Sequence, residues 1–100
     1  MLGLTVVSTG TPRDTLGVFV QSVVRDGPAE KAGVVEGDRI AAINGVSLRV
    51  AREDAEDEAV GAARAERLSR EVAKLKAGDA AELTVISGGR SRTVRVTAVK

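Results

Sequence analysis

The chain contains no histidine, cysteine, tryptophan or tyrosine, and Phe19 is its one aromatic residue. Without histidine there is neither a Ser-His-Asp triad nor a histidine metal site, and without cysteine there is neither a disulfide nor a thiol nucleophile. A single ring also gives no platform on which successive nucleic-acid bases could stack. The missing residue types therefore exclude catalysis and metal binding that depend on histidine or cysteine.

An excess of charge and a long apolar run are missing as well. Fifteen basic residues against fourteen acidic ones leave a net charge of +1, which is no electrostatic footprint for a nucleic acid. No apolar run approaches the ~20 residues of a membrane-spanning helix, and the first residues lack the basic-then-apolar order of a signal peptide. We expect no nucleic-acid partner, no membrane insertion and no cofactor.

The residues that are present indicate one globular domain. The chain has 100 residues, of which 43% are hydrophobic and 29% are charged, values typical of folded domains rather than disordered segments. Valine, alanine, leucine and isoleucine supply nearly all of the apolar set. We therefore predict a tightly packed aliphatic core that includes Phe19.

Two candidates for chemistry remain in the second half of the chain. Ser69 and Lys74 could form a Ser/Lys pair, but residues five apart on a helix face different sides. The acidic residues between Glu53 and Glu58 could attract a divalent cation, although at a helix start such a cluster more often complements the helix dipole. We predict no catalytic residue and no metal site.

The most informative stretch runs from Gly27 to Gly45. Pro28 has its φ preset for a first helical position and Gly33 suits the position after a helix end, so a short helix fits between them. Residues 39–43 are typical of a buried strand. Asn44-Gly45 then predicts a tight hairpin turn, because both central residues of a type I′ turn need a positive φ.

The rest of the chain predicts further strands and one long helix. Alternating apolar residues predict strands over 2–8, 16–24, 46–48, 82–86 and 92–99, and turn-forming residues predict an exposed loop over 9–15. Composition predicts a helix over 49–77, with Asp54 as its N-cap and a kink or break at Gly61. Leu68, Val72 and Leu75 form an apolar stripe on this helix.

Two of these motifs resemble those of PDZ domains. The stretch GPAEKAGVVEGDRIAAING, residues 27–45, resembles the family segment written SPA..AGL..GD.I..vNG, with Gly27 where serine is usual. Residues 1–4, Met-Leu-Gly-Leu, resemble the GLGF loop that holds a peptide's terminal carboxylate in this family, and Gly3 matches its second glycine. Two strands after the long helix resemble the arrangement in bacterial HtrA-type and carboxy-terminal-processing proteases.

The resemblance implies a fold. It is an α+β fold with a five- to six-stranded, partly open antiparallel β-barrel or sandwich, capped by one short and one long α-helix. Residues 1–100 are expected to form a single, complete PDZ domain that is circularly rearranged. The last strand would then occupy the place of the missing first strand, with Lys100 close to Leu2.

The resemblance also implies a function and a site. The expected function is non-enzymatic binding of a protein's C-terminal peptide, ending in an aliphatic residue, by strand addition between the long helix and the strand that starts at Leu4, which is the second strand of the family. The expected carboxylate-binding loop is Met1, Leu2, Gly3 and Leu4, and the expected groove is lined by Thr5, Val6, Val7, Leu68, Val72 and Leu75. For the three helix residues, an ordinary place in the core remains the alternative.

The chain departs from the family pattern between the Asn-Gly turn and the groove. Gly45 and Leu68 are 23 positions apart, and the extra residues, 49–64, are expected to be a helical insertion. This insertion could extend the helix, cover the groove mouth or contact a neighbouring domain of a parent protease. The alternative function is accordingly a structural or regulatory PDZ domain whose groove is self-occupied or mediates domain or oligomer contacts. A periplasmic or other extracytoplasmic location follows if the analogy holds.

Overall fold

A computed structural model describes residues 2–98 and shows six strands and two α-helices within that range. In chain order these are β1 (Leu4–Val7), β2 (Val18–Val23), α1 (Pro28–Lys31), β3 (Arg39–Ile43), β4 (Val46–Ser47), α2 (Glu58–Ala73), β5 (Ala80–Ser87) and β6 (Arg90–Thr97). Short 3₁₀ turns lie at Pro12–Leu16 and Arg52–Asp54. The predicted α+β class, with one short and one long helix, is confirmed.

The six strands form a single antiparallel sheet. Their order is β1-β2-β3-β5-β6, and β4 lies off this path beside β3. Within the described residues, β1 therefore pairs on one side only, with β2. At the other end of the order, β6 pairs with β5 along its whole length. The expected proximity of Lys100 to Leu2 lies outside the described residues.

The core is aliphatic, as predicted, but Phe19 is not part of it. Val18 and Val20 are buried, and because strand residues alternate between faces, Phe19 lies on the opposite face and is half-buried. It is paired across the strands with Arg39, whose guanidinium carbon is 5.2 Å from the ring centroid. The prediction that Phe19 is a core residue was wrong, and the ring contacts a cation instead.

Local backbone requirements explain the two tight turns. Asn44 and Gly45 have φ values of 48° and 82°, so the predicted type I′-like turn between β3 and β4 is present. Gly88 and Gly89, with φ values of 58° and 83°, join β5 to β6 in the same way. Both turns need left-handed backbone at two successive residues, which asparagine and glycine tolerate best.

The structure corrects the prediction of a helix over residues 49–77. Residues 49–57 contain only the short 3₁₀ turn, so the predicted helical insertion over 49–64 is helical from Glu58 onward. The N-cap is Asp57, not Asp54, and its carboxylate accepts hydrogen bonds from the amides of Ala59 and Val60 at 3.0 and 3.3 Å. The helix passes through Gly61 without a break and ends at Ala73, so Leu75 lies beyond it.

Candidate functional site

A cleft of about 410 Å³ separates β1 from α2. Its walls are Leu2, Gly3, Leu4, Thr5 and Val6 on the strand side, and Leu68, Ser69 and Val72 on the helix side. Most of the site residues predicted from the sequence therefore meet in one place. Val7 and Leu75 do not line the cleft, and Met1 lies outside the described residues.

The strand wall has a hydrogen-bonding edge that faces away from β2. Leu4 pairs with Val23 and Val7 pairs with Phe19, with an irregularity in the register between Thr5 and Val6. On the other side of β1, no strand of the described residues takes up the backbone N–H and C=O groups. An edge of this kind is a template for a further strand. The half-buried side chains of Leu4 and Val6 add apolar surface beside that edge.

Two carbonyl groups of the loop before β1 accept hydrogen bonds from backbone amides further along the chain. The amide of Ala29 donates to the Leu2 carbonyl at 3.0 Å, and the amide of Val24 donates to the Gly3 carbonyl at 2.7 Å. Gly3 has a φ of 76°, and a Cβ there would lie 3.1 Å from Cδ of Pro28. Within residues 2–98 the Gly3 N–H has no acceptor. As far as residues 2–98 show, this buried glycine at the end of the cleft has an N–H that could donate a hydrogen bond to an anion.

The helix wall is built from residues that also support the core. Leu68 is 2% exposed and belongs to the core cluster, and only part of its side chain reaches the cleft. Val72, one turn later, is half-buried and packs against the same cluster. Leu75 also packs against the core cluster, but it does so after the helix has ended. Leu68 is thus both a core residue and a lining residue of the cleft.

The cleft carries no charged lining residue among those described. Ser69 lies in its wall, but the Lys74 ammonium is 2.9 Å from the Glu71 carboxylate. The hydrogen bond from Lys74 is the main reason that the pKa of Glu71 lies below its usual value. Lys74, directly after α2, is therefore paired with Glu71 in the last turn of the helix and not with Ser69. Within residues 2–98 there is also no helix long and apolar enough to cross a membrane, and no group of acidic side chains suited to a metal ion.

A buried ion pair lies next to the end of β1, in a place where the sequence predicted an exposed loop. Asp14 and Arg39 are 2% and 7% exposed, and Arg39 Nη1 is 2.8 Å from Asp14 Oδ1. The same carboxylate accepts hydrogen bonds from the Thr9 hydroxyl at 2.7 Å and from the Gly10 amide at 3.0 Å. The prediction was wrong for Asp14. The sequence feature that could have predicted the burial of Asp14 is Arg39, because a cation in a buried strand needs a buried anion.

These hydrogen bonds determine the ionisation of Asp14. Burial alone would raise the pKa of its carboxyl, since it disfavours the charged form. The donors from Thr9, Arg39 and Gly10 outweigh burial, so the pKa lies below its ordinary value. The loop between β1 and β2 is consequently fixed around a charged carboxylate.

The first turns of α2 contact the end of β1 directly. A Cβ placed on Gly61 would lie 2.8 Å from Cβ of Ser8 and 3.3 Å from Oδ2 of Asp14. Real Cβ contacts are not this short, so only glycine allows the helix to lie so close to the strand. The same helix forms both features. At Leu68 and Val72 the cleft separates α2 from β1, whereas at Gly61 the helix contacts Ser8, directly after β1.

Comparisons with known proteins agree with this architecture. A family model described as PDZ domain matches residues 1–69. The probable periplasmic serine endoprotease DegP-like of Brucella suis biovar 1 (strain 1330) is 35% identical over 81 residues, which are 81% of this chain and 13% of that protein. The chain thus spans a small part of the curated relatives that it matches.

Two solved structures share the fold. The structure of HtrA-type protease AlgW with decapeptide gives a TM-score of 0.72 at 24% identity, covering 99% of this chain and 28% of that one. The HtrA3 PDZ domain bound to a phage-derived ligand (FGRWV) gives a TM-score of 0.65 at 19% identity, covering 97% of this chain and 82% of that one. Since the family model covers more than half of the residues, the chain belongs to the PDZ domain family, as its motifs indicated.

Proposed function

We propose that this chain binds the C-terminal peptide of another protein as an added strand on β1. The observation that carries the proposal is the edge of β1 that no strand within residues 2–98 pairs with, facing Leu68 and Val72 across a cleft whose described lining residues carry no charge. Strand addition at a sheet edge obtains affinity from main-chain hydrogen bonds and specificity from side-chain pockets. The two relatives with bound peptides support the same mode, because the AlgW structure holds a decapeptide and the HtrA3 domain holds a phage-derived ligand.

The peptide's terminal carboxylate would lie at the loop formed by Leu2, Gly3 and Leu4. The Leu2 and Gly3 carbonyls are already bonded to Ala29 and Val24, so the negative ends of these groups do not oppose an anion in the cleft. The Gly3 N–H supplies a donor beside it. Hydrogen bonds from backbone N–H groups to a carboxylate are charge-assisted and stronger than neutral ones. Met1 completes the predicted loop and remains a prediction.

The side chain of the last peptide residue would contact aliphatic groups of both walls. Burying a methylene is worth about 0.8 kcal/mol, whereas an unpaired charge in the same place is strongly unfavourable. Peptides ending in valine, leucine or isoleucine are therefore preferred. Leu68 also favours an apolar third-from-last residue. We expect a Kd on the order of 1–100 μM, about −5.5 to −8 kcal/mol.

The domain acts by binding and not by catalysis, as part of a longer HtrA-like protease. Its curated relatives are named as probable periplasmic serine endoproteases, which supports an extracytoplasmic location for this chain as well. The alternative in which the insertion fills the groove is not favoured. In the described residues, the cleft is lined by β1 with the loop before it and by α2, while residues 49–56 line clefts beside Pro12 and Thr15.

Three matched peptides test the proposal by isothermal titration calorimetry. One ends in a free valine, the second is the same peptide with an amidated C-terminus, and the third ends in aspartate. Amidation should weaken binding by about 1.5–3 kcal/mol, because the carboxylate loses charge-assisted hydrogen bonds. The aspartate peptide should be weaker still. Equal affinity for all three would show that the cleft does not bind a terminal aliphatic residue.

A further inference from the structure

We infer that a second cleft, lined by Arg49, Arg52 and Arg64, binds an acidic segment of a partner protein through two or three closely spaced carboxylates. This arginine cleft has a volume of about 560 Å³, and its other lining residues are Thr15, Ser47, Val50 and Ala51. It shares no lining residue with the cleft between β1 and α2. The two sites are therefore separate, and this one does not depend on the proposed peptide binding.

The three arginines have no carboxylate partner within residues 2–98. None of the ion pairs in that range includes Arg49, Arg52 or Arg64, and no aspartate or glutamate of those residues lines the cleft. By contrast, Arg39 and Arg92, which lie on strands, are 2.8 and 3.6 Å from aspartate carboxylates. Three like charges around one space repel one another, and an anion bound between them removes that cost.

Two of the arginines are held in place beside the cleft. Nε of Arg49 donates to the Thr15 carbonyl at 2.8 Å, so its Nη1 and Nη2 remain for a ligand. Arg64 lies on α2, one turn before Leu68, and is half-buried. Its Nε is buried and has no hydrogen-bond partner within residues 2–98. Because folded proteins rarely leave a buried donor unpaired, a carboxylate that binds this guanidinium through Nε and Nη2 would supply the missing acceptor.

The surroundings of the cleft favour a protein segment over other anions. Arginine binds carboxylates and phosphates through two parallel N–H···O bonds. A nucleic acid or an anionic membrane needs a broad basic surface, but Glu53 and Glu56 line an adjoining cleft with Arg52, and the net charge is only +1. Small ligands bind in pockets that enclose most of their surface. Arg49 and Arg52 are exposed, so a partner protein can cover them and a small ligand cannot.

An N-acetylated, C-amidated peptide of alternating glutamate and glycine, with three glutamates, tests the inference on the whole chain. It lacks the terminal carboxylate and the aliphatic end expected of ligands for the cleft between β1 and α2. In amide NMR titrations at low ionic strength, we expect saturable shift changes that are largest from Ser47 to Arg52 and at Arg64. The same peptide with glutamine in place of glutamate should cause none. An absence of binding at millimolar peptide, or largest changes elsewhere, would overturn the inference.

Matched variants separate a site from general charge attraction. Arg64→Gln should weaken binding of the glutamate peptide by about tenfold or more, because charge-assisted hydrogen bonds are lost. Arg90→Gln removes the same charge from an exposed arginine outside the cleft and should change affinity by less than about twofold. Arg52→Gln, at an exposed position, should also weaken binding and provides a test that does not depend on the folding of Arg64→Gln. Equal losses in all three variants would contradict a specific site.

Competition experiments test the occupant and its independence. A saturating valine-ended peptide should leave the affinity for the glutamate peptide unchanged within about twofold, since the two clefts share no lining residue. Displacement of one peptide by the other would overturn the inference, whereas failure of the valine-ended peptide to bind bears on the proposed function alone. Tripolyphosphate is the second competitor. If it binds more tightly than the glutamate peptide and depends on Arg64, the cleft binds phosphate groups and the assignment to an acidic protein segment is wrong.

Discussion

The two halves of α2 meet β1 in opposite ways. In the first half, Gly61 touches Ser8 and nothing fits between helix and strand. In the second half, Leu68 and Val72 are separated from Leu4 and Val6 by the cleft. A groove in this fold is thus the space left where a helix is held close to the sheet at one end and kept away at the other.

The cause of the difference lies in the residues beneath each half. Gly61 allows close approach, and the Asp14–Arg39 pair provides a fixed surface for it. Leu68 and Val72 instead rest on the aliphatic core, which keeps the helix at the distance that their side chains require. Four experiments test whether these residues cause the difference between the two halves of α2.

Asp14→Ala should have the largest effect, because it leaves the Arg39 guanidinium buried without its partner. Removal of one member of a buried pair typically costs about 3–5 kcal/mol. Urea unfolding monitored by circular dichroism measures the loss. Glu36→Ala, which removes an exposed carboxylate, is the matched control and should stay within about 0.5 kcal/mol of the parent. A loss below about 1 kcal/mol for Asp14→Ala would mean that the pair does not hold the first half of α2.

Val72→Asp tests the second half. An unpaired carboxylate in the aliphatic wall should weaken binding of a valine-ended peptide by at least tenfold, about 1.4 kcal/mol. Val35→Asp places the same charge at a valine that is 54% exposed and should leave affinity unchanged. Circular dichroism establishes that both variants are folded. Unaltered binding by Val72→Asp would remove this residue from the site.

Gly61→Ala should destabilise the domain although it raises helix propensity. Propensity alone favours alanine by about 1 kcal/mol, whereas overpacking against Ser8 costs about 1–3 kcal/mol. We expect a net loss on the order of 1 kcal/mol in urea unfolding. Adding Ser8→Gly to the same chain should recover part of it by removing the clashing Cβ. If Gly61→Ala is stabilising, the helix does not lie against the strand end.

The smallest effect is the dependence of stability on pH. The folded pKa of Asp14 is lowered from 3.8, so its contribution is complete above that value and is lost as pH falls through the folded pKa. Each unit of difference corresponds to about 1.4 kcal/mol. Urea midpoints between neutral and strongly acidic pH should therefore fall less steeply for Asp14→Asn than for the parent. Parallel pH profiles would contradict a lowered pKa at this residue.

The sequence was sufficient where local backbone requirements decide the structure. Pro28 begins α1, and Asn44-Gly45 turns β3 into β4, because each position needs a conformation that few residues adopt. The positions of Gly3 and Leu68 in the cleft followed instead from the resemblance to PDZ domains and from the helix stripe. The helix start and the turn depend on short stretches of chain, so a single sequence contains the information needed for them.

The sequence was insufficient where distant residues meet. Phe19 was assigned to the core because the register that pairs it with Arg39 cannot be read from either strand alone. Asp54 and Asp57 are equally suitable caps by residue type, but Asp54 lies in a 3₁₀ turn and Asp57 directly precedes the helix. Gly61 indicated a kink, whereas its actual requirement is close contact with Ser8. A glycine in the sequence indicates a special backbone or packing requirement, but only the neighbouring element in the fold shows which requirement it is.

If the proposed function is correct, a C-terminal peptide binds between β1 and the second half of α2. Amide NMR spectra recorded during titration with a valine-ended tetrapeptide locate the binding surface. We expect the largest shift changes at Gly3 to Val6 and at Leu68 to Val72, small changes at Glu58 to Gly61, and much smaller changes at the same concentration of the amidated peptide. Largest changes at the separate cleft between Pro28 and Thr97, or equal changes with the amidated peptide, would contradict it.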